Sequence, residues 1–389
     1  MSRGASGIVL PEALASRLAS GHPWVYRDHI PRSRARTGDW VKIVAGSFEA
    51  YGLWDEESPI AVRIFSSEKQ PDRAFFRARV EDAWALRAPL RENGVTGCRL
   101  INGEGDGLPG VVVDSYQGYA VLQTYSKSLE TILPHLVAAL SDVAEPKGVL
   151  RRLRKEDGVE LEVLSGEAPH EDLFIEEYGM RLGVDLIRGQ KTGLFFDHRE
   201  NRRWVRGVSA GRSVLNLFSY TGGFSVAAAL GGARSVTSVD IAEGAVRAVA
   251  KNFELNGLEA IPHDEHAEDV FAFLERAAKK GQRWDVVISD PPSFAKNREQ
   301  KRAAERAYVK LMGQALRVVS PGGIFCAASC TSQVSPNEFR FLLSESGRKA
   351  RIRGQILHEI GHATDHPIAL GHEEGRYLKF IALRVGPRV

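Results

Sequence analysis

A thiol, a carboxylate and a glycine pair each follow a short apolar stretch of this sequence, and together these groups suit group transfer to a nucleobase. Cys330 follows the last stretch, Asp290 and Pro291 follow the middle one, and Gly222–Gly223 follows the first. The three apolar stretches occupy residues 214–217, 286–289 and 323–329. Such runs predict buried parallel strands, and ligands of open α/β sheets bind beyond their carboxyl ends. We therefore expect the three features to meet at one edge of a sheet.

The first loop is predicted to bind a cofactor. Gly222 and Gly223 lack side chains that would obstruct a ligand, and the helix expected over 224–230 would offer free backbone amides. The next predicted strand, 235–239, ends at Asp240, whose carboxylate suits two ribose hydroxyls. The predicted cofactor contacts are Phe218, Ser219, Tyr220, Thr221, Gly222, Gly223, Asp240, Asp269 and Asp290.

S-adenosylmethionine fits this loop better than a nicotinamide dinucleotide does. Residues 219–224 lack the G-x-G-x-x-G pattern that cradles a pyrophosphate, whereas S-adenosylmethionine has ribose hydroxyls and no pyrophosphate. Asp269 follows the expected third strand, where it would either face the adenine or cap the next helix, and the sequence favours neither.

Cys330 is the predicted nucleophile for a cytosine. A thiolate added to carbon 6 makes carbon 5 nucleophilic, and the thiol needs partial exposure and a lowered pKa. The two prolines after Asp290 stiffen the corner that would present its carboxylate to a flat base. A buried structural thiol is the alternative for Cys330, and this alternative suits Cys326 and Cys98 well.

Bulk properties exclude several classes of protein. The 389 residues are 43% hydrophobic and 26% charged, which is ordinary for a globular chain, and no apolar run is long enough to cross a membrane. Three cysteines cannot build a disulfide framework, so a reducing cytoplasm is expected. The net charge is only +3, but basic clusters at 32–36, 151–155, 199–206 and 296–302 predict either a phosphate-tracking surface or, for any one cluster, an ordinary solvated face.

The pattern along the chain divides it into three predicted domains. Residues 1–72 have the short strands of a small barrel, including 40–44, 50–54 and 60–65, and residues 73–184 have a mixed α+β pattern that begins with a helix. Residues 185–389 alternate strands with helices, which predicts a doubly wound parallel sheet of the α/β class.

A formal metal motif occurs near the end of the chain. His358–His362 matches H-E-x-x-H, and His366 lies four residues further on. The match is short, and Gly361 weakens the helix that the motif requires, so we expect no metal here.

Several longer segments together resemble the large-subunit ribosomal RNA cytosine-5 methyltransferases that carry an N-terminal PUA domain. The resemblance runs nearly end to end and rests on 21–26, 103–110, 175–179, 190–202, 216–223, 290–294, 329–331, 365–367 and 375–379. It implies a PUA barrel, a small central domain and a Rossmann-like class I methyltransferase domain. It also implies S-adenosylmethionine as donor and a cytidine of 23S rRNA as acceptor.

The resemblance also implies roles for single residues. Cys330 matches the family's nucleophile, Asp290 and Pro291 match its catalytic corner, and Lys191, Thr192 and Gly193 match a segment near the cofactor. Relatives commonly have lysine where this chain has Ser293, and 151–160 also departs from the family pattern, which affects the RNA contacts.

Two other functions remain open at this point. Methylation of a base amino group or of guanine would need the Asp290 corner but no thiol, and a non-catalytic RNA-binding assembly factor would keep the fold without turnover. The expected partner is ribosomal RNA, naked or partly assembled, because a base must leave its helix to meet a thiol. Tyr220, Phe195 and Phe294 would stack on the base or adenine or simply belong to the core. No membrane partner is expected, and a homodimer is left open.

Overall fold

The structure, a computed structural model, describes residues 6–30, 33–155, 158–169, 172–189, 193–295 and 299–388. It consists of two compact units, one built from Met1–Ile175, Val184–Phe196 and Thr364–Gly375, the other from Glu176–Gly183, Asp197–Ala363 and Arg376–Val389. The three-domain division at 72 and 184 stays a prediction. Within the described residues, every helix is too short or too polar to cross a membrane.

The first unit begins with a small five-stranded sheet, in which the strand Trp40–Ala45 alternates between partly buried and buried residues. Its strands are β1 (Ser6–Val9), β2 (Trp24–Tyr26), β3 (Trp40–Ala45), β4 (Phe48–Trp54) and β5 (Ile60–Ser66), with helix α1 (Ala15–Ala19) between β1 and β2. Their order is β1-β3-β4-β5-β2. Val41, Ile43 and Ala45 of β3 are fully buried, so the period-2 pattern forms a core face. The predicted strands at 40–44, 50–54 and 60–65 are confirmed.

The same unit contains a second sheet that packs with helices. Its elements are α2 (Arg73–Leu86), α3 (Ala88–Glu92), β6 (Gly97–Asn102), β7 (Val111–Tyr116), β8 (Tyr119–Thr124), α4 (Leu133–Ala144), β9 (Gly148–Lys155) and β10 (Gly158–Gly166). The strand order is β10-β9-β8-β7-β6. Asp72 caps α2 by accepting a hydrogen bond from the Phe75 amide at 2.9 Å, and Phe76 and Val80 are buried on its inner face. A small hairpin, β11 (Leu173–Glu177) and β12 (Met180–Val184), follows.

The second unit contains the predicted doubly wound sheet. Its elements are α5 (Arg199–Val208), β13 (Ser213–Leu217), α6 (Gly223–Leu230), β14 (Ser235–Asp240), α7 (Glu243–Leu255), β15 (His263–Ala267), α8 (Val270–Lys279), β16 (Trp284–Ser289), α9 (Lys301–Arg317), β17 (Val319–Ser329), α10 (Pro336–Ala350), β18 (Ile352–Ile360) and β19 (Lys379–Arg388). The order over the described strands is β15-β14-β13-β16-β17-β19-β18. The doubly wound sheet is confirmed, and β19 departs from the predicted parallel direction because it runs antiparallel to both β17 and β18.

The register of the central strands brings the predicted site together. Leu217 at the end of β13 pairs with Ser289 at the end of β16, and Ser289 pairs with Ala327 of β17. The residues that follow β13, β16 and β17 therefore lie at one edge of the sheet, where the strand order reverses. This arrangement confirms that the glycine loop, the Asp290 corner and Cys330 share an edge.

The interpretation of the basic clusters is wrong for three arginines, and the H-E-x-x-H match lies on a different kind of element from the one that the motif requires. Arg152, Arg199 and Arg202 were expected on a phosphate-tracking or solvated face, but all three side chains are buried. Arg32, Lys296 and Arg298 lie outside the described residues. His358 and Glu359 lie on strand β18, so the helix that the H-E-x-x-H pattern needs is not formed.

Candidate active site

The loop after β13 is shaped by backbone conformations that few residues adopt. Phe218, Tyr220 and Gly222 have φ values of 57°, 48° and 80°, in the left-handed region. Gly222 caps the start of α6, and a Cβ at this position would lie 2.5 Å from Val249 Cγ1. A Cβ on Gly223 would lie 3.1 Å from Cδ of Arg202. The two glycines therefore let the loop turn sharply into the helix and expose its backbone amides.

Asp240 holds this loop in place. Its Oδ2 accepts a hydrogen bond from the Tyr220 amide and its Oδ1 accepts one from the Ala242 amide, each at 2.9 Å. The carboxylate therefore joins the end of β14 to the glycine loop. The sequence predicted only a ribose contact for Asp240, and that contact stays a prediction.

Unsatisfied polar atoms lie buried at the same edge. Asn216 Oδ1, Ser219 Oγ and Ser289 Oγ have no hydrogen-bond partner among the described residues, although each residue is at most 6% exposed. Buried polar atoms in proteins are normally satisfied, so these atoms fit a polar ligand with donors of its own. The amino group and ribose hydroxyls of S-adenosylmethionine are such donors, and the chain's residues thus fit this cofactor. Asn216 and Ser289 were missed from the sequence, although a polar residue near the end of an apolar strand was the available signal.

The remaining predicted cofactor residues are less informative. Asp269 is the N-cap of α8, and its Oδ1 accepts a hydrogen bond from the Ala272 amide at 2.9 Å. Capping of the next helix was one of the two roles predicted for Asp269. Gly193 has a φ of 137°, and Lys191 and Thr192 lie outside the described residues. Contacts of these residues with the cofactor stay predictions.

Cys330 is a half-buried thiol directly beyond β17. Its Sγ lies 3.9 Å from the Pro291 carbonyl oxygen, so the thiol and the predicted corner are neighbours. The other two cysteines are buried, and burial raises the pKa of Cys326 well above that of an ordinary thiol. Partial exposure thus distinguishes Cys330 from its neighbour four residues earlier.

Hydrogen bonds join the loops after β16 and β17. The Thr331 hydroxyl donates to the Ala295 carbonyl oxygen at 3.2 Å, and the Ser329 hydroxyl donates to the Tyr308 oxygen at 3.0 Å. Burial raises the pKa of Tyr308, so this phenol remains neutral. The thiol is therefore attached to a rigid support rather than to a free loop.

Asp290 has a partner that the sequence interpretation did not assign to it. His198 Nε2 lies 3.3 Å from Asp290 Oδ2, while the Asn201 side-chain amide donates to His198 Nδ1 at 3.0 Å. The imidazole of His198 therefore lies between the Asn201 amide and the Asp290 carboxylate. The side chain of His198 is only 4% exposed, so the chain from Asn201 to Asp290 is sheltered.

Lys379 is the second residue near Cys330 that sequence reasoning missed. Its ammonium group is buried and donates to the carbonyl oxygens of Thr331 and Tyr377, the latter at 2.9 Å. Burial lowers the pKa of Lys379 to about 8, and the interactions with Cys330 and Glu338 oppose that shift. The signal available in the sequence was a lysine that begins an otherwise apolar strand.

The aromatic residues expected to stack on a base or on adenine lie partly in the core. Phe294 is half-buried and its ring centroid lies 4.9 Å from that of Tyr308. Tyr220 and Phe195 are also half-buried. Their stacking on a ligand stays a prediction.

Comparisons with known proteins agree with this geometry. A family model described as S-adenosylmethionine-dependent methyltransferase matches residues 112–367, and a model of the PUA-like domain matches residues 8–67. A protein of Klebsiella pneumoniae (strain 342) named ribosomal RNA large subunit methyltransferase I is 35% identical over 391 residues, which cover 97% of this chain and 98% of that protein. Its namesake from Aeromonas salmonicida (strain A449) is 35% identical over 390 residues, with coverage of 97% and 98%. A solved structure named as a methyltransferase complexed with SAH has a TM-score of 0.88 and 26% identity, and it covers 97% of this chain and 100% of its own.

The strand order, the glycine loop and the unsatisfied polar atoms define a Rossmann-like, S-adenosylmethionine-dependent methyltransferase, with a PUA-like domain at residues 8–67. S-adenosylmethionine is its methyl donor. Within this class, the chain belongs to the family of the ribosomal RNA large subunit methyltransferases I.

Proposed function

We propose that this chain methylates carbon 5 of a cytidine in 23S ribosomal RNA, with Cys330 as the nucleophile that bonds covalently to carbon 6. The observation that carries the proposal is the half-buried thiol at the end of β17, 3.9 Å from the carbonyl oxygen of Pro291. Carbon-5 chemistry requires such a thiol next to the base. Methylation of an amino group or of guanine would not use it.

The residues present can carry each part of this reaction. The Cys330 thiolate adds to carbon 6 and forms an S–C bond, and the electron pair of the C5=C6 bond makes carbon 5 nucleophilic. Asp290, held by His198, accepts a hydrogen bond from the protonated ring nitrogen or the exocyclic amine as charge develops. Bound S-adenosylmethionine supplies an electrophilic methyl group on its sulfonium. Once carbon 5 is methylated, its proton passes to water, the C5–H electron pair re-forms the C5=C6 bond, and the S–C6 bond breaks with its electron pair returning to the Cys330 sulfur.

The substrate class rests on the relatives and on the PUA-like domain. The similar proteins are named for the large-subunit ribosomal RNA, and the PUA-like match at 8–67 suits an RNA-binding role. The target cytidine must be single-stranded or swing out of its helix to meet the thiol, so naked or partly assembled rRNA is the proposed substrate. We infer from this substrate that the protein works in the cytoplasm.

The test is methyl transfer from labelled S-adenosylmethionine to unmodified 23S rRNA, followed by nucleoside analysis. We expect 5-methylcytidine from the wild type, none from Cys330→Ala, and product from the matched control Cys326→Ala, whose thiol is fully buried. A methylated purine, or undiminished transfer by Cys330→Ala, would overturn the proposal.

Covalent attachment can be tested separately. RNA that contains 5-fluorocytidine at the target blocks loss of the group on carbon 5, so the S–C6 bond persists after methyl transfer. We expect an RNA–protein adduct that survives denaturation in the wild type and in Cys326→Ala but not in Cys330→Ala. Absence of the adduct in an active wild type would refute the covalent mechanism.

A further inference from the structure

We propose that Lys379 is the residue that positions and activates Cys330: its ammonium group stabilises the thiolate, and its hydrogen bonds fix the segment that carries the sulfur. This inference deepens the proposed function and rests on Cys330 being its nucleophile. In the activation step the S–H bond breaks, the proton passes to water, and the electron pair stays on sulfur.

The backbone places Lys379 next to the thiol. Lys379 is the first residue of β19 and pairs with Ser329, the residue immediately before Cys330. Its ammonium group donates to the carbonyl oxygen of Thr331, the residue immediately after Cys330. The lysine thus contacts the chain on both sides of the thiol, so movement of its side chain would move the sulfur.

The ammonium group is buried and interacts electrostatically with Cys330. An ammonium has three N–H bonds, and within the described part of the chain two of them reach the carbonyl oxygens of Thr331 and Tyr377. Lys379 is only 4% exposed, so water provides little competition for the third. A buried cation next to a thiol favours the charged thiolate, because low solvent exposure strengthens their attraction.

Other groups around the thiol do not replace this cation. Tyr308 of α9 interacts with Cys330 and Asp290, but burial raises its pKa and keeps it neutral. The Asp290 carboxylate would disfavour a thiolate, and its Oδ2 lies 3.3 Å from His198 Nε2. Glu338 of α10 interacts with Lys379 while it forms an ion pair with Lys301 at 2.5 Å. Among these groups, Lys379 provides the positive charge that faces the sulfur.

The protonation state of Lys379 suits this role. The pKa of Lys379 is lowered to about 8 by burial, so most of the population is positively charged at pH 7. Loss of the charge above pH 8 would remove the stabilisation of the thiolate.

The experiment measures the thiol directly and requires no RNA. The full chain is alkylated with iodoacetamide over a series of pH values, and modification at Cys330 is quantified by peptide mass spectrometry. We expect the wild-type rate to rise at a pH below the ordinary thiol pKa of about 8.5. Lys379→Met should move that inflection up by about one pH unit, which reduces the thiolate fraction at pH 7 about tenfold. Lys379→Arg, which keeps the charge, should stay close to the wild type.

The controls separate activation from folding and from the proposed reaction. Lys279→Met removes an exposed lysine at the end of α8 and should leave the inflection unchanged. A wild-type inflection at or above that of an ordinary thiol would overturn the inference even if Lys379→Met does not fold. An unmoved inflection in folded Lys379→Met would also overturn it. If either of these results is found while the wild type forms 5-methylcytidine, then only the role of Lys379 is refuted. If the inflection moves as expected but the wild type forms no 5-methylcytidine, then the proposed function is wrong.

Discussion

Replacement of Glu177 by glutamine should destabilise the second unit strongly, because Glu177 neutralises buried arginines. Its Oε1 and Oε2 accept from Arg202 Nε and Nη2 at 2.6 and 2.7 Å, and Arg199 Nε lies 3.8 Å from Oε2. The carboxylate side chain is 2% exposed and the two arginine side chains are 7% and 0% exposed. Breaking a buried pair by removing one partner typically costs about 3–5 kcal/mol, since the remaining charge stays buried. We expect a loss in this range for Glu177→Gln.

The neighbouring glutamate provides a matched control. Glu176 lies 3.6 Å from Arg181, and these side chains are 38% and 53% exposed. Exposed pairs contribute about 0–1 kcal/mol, so Glu176→Gln should change the free energy of unfolding by less than about 1 kcal/mol. The same chemical change at adjacent positions thus separates burial from the loss of a charge.

Urea unfolding followed by tryptophan fluorescence gives the free energy of unfolding of both variants. Their urea midpoints can be compared directly if the slope of that free energy against urea concentration is unchanged. The double variant Glu177→Gln with Arg202→Met should be less unstable than the sum of its single variants, because both single changes break the same buried ion pair. Equal, small losses for Glu177→Gln and Glu176→Gln would refute the argument that buried arginines depend on Glu177.

Three further changes test other parts of the site. His198→Phe should lower kcat about tenfold or more, with little change in the KM for S-adenosylmethionine, because Asp290 loses the polar neighbour that lies 3.3 Å from its Oδ2 and helps to orient it. Gly222→Ala should weaken the calorimetrically measured affinity for S-adenosylmethionine and cost about 1–3 kcal/mol of stability, since φ is 80° and the added Cβ would lie 2.5 Å from Val249. Burial lowers the pKa of His263 to about 4, whereas the unfolded chain has a histidine pKa of about 6.5. Between these two pH values only the unfolded state takes up the proton, so the free energy of unfolding is unaffected above about 6.5 and falls as pH is lowered towards 4. Over that interval the unfolding free energy should fall by up to about 3 kcal/mol more in the wild type than in His263→Gln.

Each of these changes has its own control. An unchanged kcat in folded His198→Phe would contradict the orienting role. Gly207→Ala lies in α5 with open space around the added Cβ, so it should leave cofactor binding unchanged and stabilise by up to about 1 kcal/mol. Equal weakening of cofactor binding by both alanines would contradict the argument from the loop. Parallel pH profiles for the wild type and His263→Gln would show that another group is responsible.

The strand ends of the site could be predicted because local pattern determines them. The residues of β13 are all buried, and the polar or glycine residues that follow such a run mark its end whatever lies around it. Cys330 was likewise predictable, since it directly follows an apolar run and its type suggests its chemistry. These features depend on a few consecutive residues.

The supporting residues could not be predicted because distant partners determine them. Lys379 and His198 are buried among groups more than 40 residues away in the sequence, the Thr331 carbonyl and Asp290 respectively. Arg199 and Arg202 looked like part of a basic surface, but in the folded chain they are buried next to the carboxylate of Glu177. The reversed direction of β19 also depends on its neighbours β17 and β18 rather than on the strand's own pattern.

The position of β19 has a consequence for the time at which the protein acquires its activity during synthesis. β19 follows the other strands of its sheet in the chain, yet it lies between β17 and β18 rather than at the edge. While translation is in progress, β17 has no outer neighbour, and Lys379 has not yet been added beside Cys330. Because domains fold as units when their segments become available, a nascent chain that already contains Cys330 still lacks the surroundings of that thiol. The surroundings of Cys330 seen in the folded chain are therefore complete only after β19 has been translated.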